Sequence, residues 1–245
     1  MLRYVYEHEH FLVVYKPHGM PTVPLAKQAL AGTTLLEAVA SKHPEVMQAG
    51  TDHPWEGLVL HRLDTDTAGL VLCARSKQAF LALQEYQQQG LFIKTYIAGC
   101  RPGSAPEGFP EYPGPEVSTG AVIMIESRFR AYGSKSKAVR PVVGSSSPIV
   151  QGKASQTLYS TTLRLERRME DVLLFRCVLA KGFRHQVRCH LAWSGFPLIG
   201  DPMYGGSDAE SLFLIASGLQ FPLFTSKQMF RIRLDPLEES FPVEL

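Results

Sequence analysis

His61-Arg62-Leu63-Asp64-Thr65-Asp66-Thr67-Ala68-Gly69-Leu70-Val71-Leu72-Cys73-Ala74-Arg75 changes character at its midpoint. Its second half, 69–75, is a continuous apolar run too short for a helix, which reads as a buried strand. Its first half crowds a carboxylate, hydroxyls and a basic side chain into one turn. Gly69 allows another backbone to come close at the entry to the strand. Polar loops fixed to a rigid strand commonly position chemical groups. An Asp among threonines is also an ordinary turn residue.

Outward from this stretch, FLVVYK (11–16) is a second buried strand, ended by Pro17 and Gly19. Thr34 and Glu37 have the spacing of a capping box, predicting a helix to about Lys42 before Pro44. Ser76 is placed to cap a helix through Gln89, with Gly90 as its stop. Strands are expected at 93–99, in a hairpin over 158–180, and late in the chain at 212–216 and 228–234. Strands and helices without regular βαβ alternation predict an α+β fold.

The chain has 245 residues, enough for one large domain or two small ones, and its composition is that of a globular protein. The formal charge is +2, from 25 Lys and Arg against 23 Asp and Glu. That balance does not point to nucleic acid, yet a local basic face can still bind phosphates. The densest such face is a Pro/Gly-rich and then basic stretch, 101–153, read as an extended, solvated insertion or a phosphate-contacting arm. It carries Arg128, Arg130, Lys135, Lys137 and Arg140. Cys73, Cys100, Cys177 and Cys189 form no C-x-x-C pair and read as free, mostly buried thiols of a reducing compartment. The N-terminal apolar run is too short for a signal h-region or a membrane span, which predicts a cytoplasmic protein.

A second chemical segment is Lys181-Gly182-Phe183-Arg184-His185-Gln186-Val187-Arg188-Cys189-His190-Leu191. A helix from about Arg184 to Trp193 would put Arg184 and Arg188 on one face. Arg188 could then hold a carboxylate in bidentate fashion. A surface basic helix is the plainer alternative.

These segments resemble the RluA-type family of large pseudouridine synthases. HRLDTDTAG (61–69) resembles that family's HRLD-x-x-T-S-G loop, with Ala68 in place of Ser. KGFRHQVRCHLAWSGFPLIGDPMYG (181–205) resembles its G-R-x-H-Q-I-R-x-H-L-A…G-D-x-x-Y-G block, with Phe183 where Arg is usual. VVYKPHGM (13–20) and KTYIA (94–98) resemble its V-x-K-P-x-G and K-x-Y-x-A segments. All four occur in the family's order. The late segment LFLIASGLQF (212–221) lacks a histidine often found there.

The resemblance implies a single catalytic domain over 1–245, with a mixed, largely antiparallel sheet, flanking helices, a cleft and no N-terminal S4-type module. It implies Asp64 as nucleophile, Arg188 as the partner of its carboxylate, and Tyr96 as a ring that stacks on the target base and relays a proton. Arg62 would fill the space left by a flipped nucleotide. His61, Arg184, Arg130, Lys137 and Arg140 are expected on the RNA side, and Lys16 and Lys94 to orient strands or contact phosphate. No cofactor and no metal are implied. The partner would be a structured RNA, an rRNA or tRNA stem-loop, and the protein a monomer. The rivals are an inert RNA-binding module, a glycosidase using Asp64 and Asp66, and a metal enzyme using scattered histidines. His185 and His190, five residues apart, do not share a helix face.

Overall fold

The computed structural model describes residues 2–24, 33–50, 53–115 and 120–234. These form two compact units, one from the residues up to Lys94 together with those from Ile215, the other over Thr95–Leu214. The strand pairs within each are largely antiparallel, and the fold is α+β as expected.

In the first unit, β1 (Arg3–Glu7) pairs antiparallel with β2 (Phe11–Lys16), and β2 with β3 (Ala68–Ala74). β3 lies parallel to β9 (Leu214–Pro222), which pairs antiparallel with β10 (Met229–Arg233). Every residue of β3 is buried, as a run with no polar alternation requires. Thr34 caps α1 (Leu35–Ala40) through the full capping box, and Ser76 caps α2 (Lys77–Gln88). Phe80 and Leu83 of α2 pack with Phe11, Val13, Leu70, Leu72 and Phe221 of the strands.

In the second unit the strand order is β4 (Ile93–Cys100), β8 (Val172–Leu179), β7 (Tyr159–Met169), β5 (Val122–Tyr132), β6 (Ala138–Val142). The β7–β8 hairpin matches the expected one, with a bulge near Glu166. α3 (Pro148–Gly152) and α4 (Gln186–Trp193) complete the unit. All four cysteines are free and buried. Among the described residues, no helix is long and apolar enough to cross a membrane.

Three sequence expectations are corrected. The basic part of 101–153 is not a solvated insertion: β5 pairs with both β7 and β6 and is integral to the sheet. Ile123, Ile125, Ser127 and Phe129 alternate inward along β5, a pattern obscured by the polar residues between them. The Pro-rich part does lack helix and strand in its described residues, with 116–119 outside them. It is nonetheless anchored, because Trp193 Nε1 donates to Pro110 O at 2.7 Å. Second, α4 begins at Gln186 rather than Arg184, because His185 turns left-handed (φ 56°) just before it. Arg184 and Arg188 therefore share no helix face. Third, β9 runs on to Pro222, since Gly218 does not end the strand but pairs with Arg233.

Candidate active site

In the first unit, Leu60 and Leu58 run back along β3, through Leu60 N to Leu72 O and Ala74 N to Leu58 O, both 2.9 Å. The chain then reverses over Asp64–Thr67, closed by Thr67 N donating to Asp64 O at 3.0 Å. Asp64 holds the first position of this turn, where Asp is favoured, and is partly exposed. Gly69 follows at φ 121°, and a Cβ there would collide with the backbone of Ala216 on β9. The sequence-level reading of Gly69 as a close-approach residue therefore has a specific cause.

The turn is held from one side by the segment after β2. Lys16 is fully buried, and its ammonium donates to Pro17 O, Met20 O and Thr65 O at 3.0, 2.7 and 2.9 Å. An ammonium has three protons, so all are engaged. Burial pushes the Lys16 pKa down to about 8, against the opposing charges of Asp66 and Asp64. His18 Nδ1 donates to Asp66 O at 2.7 Å. Thr22 Oγ1 donates to Leu63 O at 2.9 Å and accepts from Leu63 N at 3.1 Å. Three side chains thus tie the backbone at 63, 65 and 66 around Asp64. The sequence reading named only Lys16 among them.

Among the predicted RNA-side residues of this unit, Lys16, His61 and Lys94 turn inward while Arg62 is exposed. Lys16 has no proton left for a phosphate. His61 turns inward: Nε2 accepts from Leu72 N at 3.3 Å, the ring faces Phe92, and burial, with Lys94's charge, lowers its pKa to about 3. It is a neutral packing residue. Lys94 is buried as well, with its pKa lowered to about 8 by that burial. Arg62 is exposed and pairs with Glu56 at 2.7 Å.

In the second unit, Tyr96 lies buried on β4 and Arg188 on α4. Arg188 makes a fork with Asp201: Nε to Oδ2 and Nη2 to Oδ1, both 2.7 Å. Its guanidinium carbon also stands 5.3 Å from the ring centre of Tyr204. Asp201 is fully buried. Gly200 and Gly206 make its cradle, since a Cβ at either would strike the backbone of Ser211 or Leu198. Asp201 lies inside the quoted GDPMYG stretch, but the sequence reading assigned it no role. The only sequence signal was an isolated Asp between Gly200 and Pro202.

α4 is not a surface helix; all eight of its residues are buried. Gln186 donates to Ser160 O and Thr161 Oγ1 at 2.9 and 3.0 Å. His190 bridges Thr161 at 2.8 Å and Ser127 at 3.0 Å, with its pKa lowered to about 3 by burial. Polar anchors on both sides of Arg188 therefore fix the helix to β5 and β7. Arg184 donates to Ser136 O and Ala138 O at 2.7 and 3.2 Å. Arg130, Lys137 and Arg140 sit on β5, in the turn after it, and on β6.

The model of the family described as RNA pseudouridylate synthase matches residues 10–193. The chain is 28% identical over 210 residues to the ribosomal large subunit pseudouridine synthase D of Nitrosomonas europaea, covering 85% of the chain and 51% of that protein. It is 33% identical over 191 residues to an uncharacterized RNA pseudouridine synthase of Chloroflexus aurantiacus, covering 78% and 50%. The chain thus spans about half the length of these curated relatives. The solved structure of human RNA Pseudouridylate Synthase Domain Containing 1 shares the fold, with a TM-score of 0.68 at 19% identity, over 96% of this chain and 83% of that one.

Proposed function

Since the chain belongs to the RNA pseudouridylate synthase family, of RluA type, we propose that it isomerises a uridine within RNA to pseudouridine, with Asp64 as its nucleophile. The reaction breaks the N1–C1′ bond, turns the base and joins C5 to C1′. C5 loses a proton and N1 gains one, so no electrons are exchanged and no redox cofactor is required. The observation that carries the reading is the Asp64 turn, whose backbone is tied by Lys16, His18 and Thr22. A carboxylate carried on a backbone tied this firmly is suited to attack at a fixed sugar carbon, because a reaction between positioned groups avoids much of the entropic cost.

Tyr96 is the proposed base-stacking and proton-relay residue, and Arg188, oriented by Asp201, the proposed cation of the chemistry. The target uridine flips out of its stack, at a cost of a few kcal/mol. The proposed substrate is a stem-loop of rRNA or tRNA, with large-subunit rRNA the first to test given the relatives' names. The protein is proposed to act as a cytoplasmic monomer. The test is tritium release from RNA labelled at uridine C5. Wild type should release tritium without free uracil, and Asp64→Asn should release none. Free uracil would mean hydrolysis, and equal release by both proteins would remove Asp64 from the chemistry.

A further inference from the structure

The register of β5 and β6 places Arg130 directly opposite Arg140. Like charges facing each other across a strand pair destabilise the sheet. The second unit has another such pair, Arg164 opposite Arg176, but there Glu166 takes the Arg176 guanidinium at 2.6 Å. Neither Arg130 nor Arg140 has an acidic partner among the described residues. Arg140 leans over the Tyr132 ring at 5.5 Å, and its buried Nε has no hydrogen-bond partner. Arg128 shares the face two residues along and reaches only the neutral Gln151, at 3.3 Å. Lys135 and Lys137 are exposed in the turn joining the strands. Residues 122–153 hold six Lys and Arg against one acid, Glu126, so the near-neutral chain concentrates its positive charge here.

A repulsive pair with an unsatisfied donor and no carboxylate is a site built for an anion. Planar guanidinium forks suit phosphate, and aligned cations suit a phosphodiester chain. Resting on the RNA-isomerase reading, we infer that Arg128, Arg130 and Arg140 bind the phosphate backbone of substrate RNA flanking the reacting nucleotide. The location constrains the substrate further. Ser127 and Phe129 of β5 face α4, since Ser127 bonds His190 and the Phe129 ring stands 4.9 Å from it. Alternation turns Arg128 and Arg130 to the other side. Arg140 lies on the edge strand β6, over Tyr132. RNA that meets Arg188 on α4 and also Arg128 and Arg130 must pass around that edge, so the substrate extends beyond a minimal hairpin.

The test uses Arg130→Gln/Arg140→Gln, with filter binding to deproteinised bacterial large-subunit rRNA and to a short synthetic hairpin, over a salt series. Binding to the long RNA should weaken roughly tenfold, with the salt slope falling by about 1 per arginine. Hairpin binding should be unchanged. Removing the repulsion should leave Tm unchanged or raise it by about 1–3 °C. Binding is compared below both melting transitions, so a lower Tm does not obscure the result. Unchanged affinity and slope on the long RNA would overturn the inference, and equal losses on both RNAs would overturn its placement away from the reacting loop. Tritium release, followed in parallel, reports on the isomerase reading separately: its absence in wild type defeats that reading, whatever the binding shows.

Discussion

Lys16 Nζ donates to the carbonyl oxygen of Thr65 at 2.9 Å, tying the end of a buried strand to the residue next to Asp64. Lys16→Met would leave three inward carbonyls without a donor, at a cost of about 2–4 kcal/mol. The turn would lose its fixed geometry, and misplacing a reacting group by about 1 Å can reduce rate roughly 10²-fold. Urea unfolding should show the stability loss and tritium release a loss of kcat greater than that in RNA affinity. Normal kcat in a destabilised variant would make Lys16 structural only.

Lys16 also sets a pH dependence in which rate and stability part company. Its native pKa is about 8, against 10.5 for an ordinary lysine. Between those values unfolding takes up a proton, so this group favours the folded state increasingly as pH rises. Buried Lys94, also at about 8, has the same sign. The neutral amine keeps two donors for three carbonyls, so the Asp64 turn loosens over the same range. Activity should therefore fall with a midpoint near pH 8 while these two lysines contribute no loss of Tm. If Tm falls in step with activity, global unfolding explains the limb instead.

The sequence exposed what is local. The apolar run of β3, the Thr34 capping box and the polar turn at Asp64 are each written in adjacent residues. What it concealed depends on residues distant in the chain. Asp201 acquires its role only because the Gly200 and Gly206 cradle brings it to Arg188. That Lys16 spends all three protons on the turn, and that His61 turns inward to Leu72 N, emerges only once β2 and β3 pair. β5 was hidden because its outward arginines and the flanking Pro-rich stretch looked like a loop, although Ile123, Ile125 and Phe129 already alternated.

Asp201→Asn tests the second ion pair. It removes a carboxylate charge from the buried two-bond fork with Arg188, itself only 6% exposed, and breaking such a buried pair costs roughly 3–5 kcal/mol. Asp201→Glu should not restore stability, because the added methylene moves the carboxylate out of register with the two-bond fork to Arg188. Urea midpoints would show both losses. Full stability in the Asn variant would mean that Arg188 is held adequately by its other contacts.

Tyr96→Phe removes one hydroxyl from a buried strand residue and keeps the ring. Base stacking, worth ~1–3 kcal/mol, should survive, and RNA affinity with it. Product formation should fall sharply if the hydroxyl moves the C5 proton. Full turnover in this variant would confine Tyr96 to stacking.

The two buried histidines predict the acid limb of stability. His61 and His190 have native pKa values of about 3, against 6.5 for an exposed imidazole. From pH 6.5 down to 3 the unfolded chain binds protons that the native rings refuse, so acid drives unfolding in that window. His190 cannot take the proton cheaply, because its nitrogens are committed to Thr161 and Ser127 in a buried setting. His190→Gln, which can keep one polar contact but does not titrate, should lower Tm at pH 7.5 yet flatten its fall between pH 6.5 and 4. Thermal melts across that range would show the two curves converging as pH drops. Parallel curves would mean that the acid limb belongs to carboxylates rather than to His190.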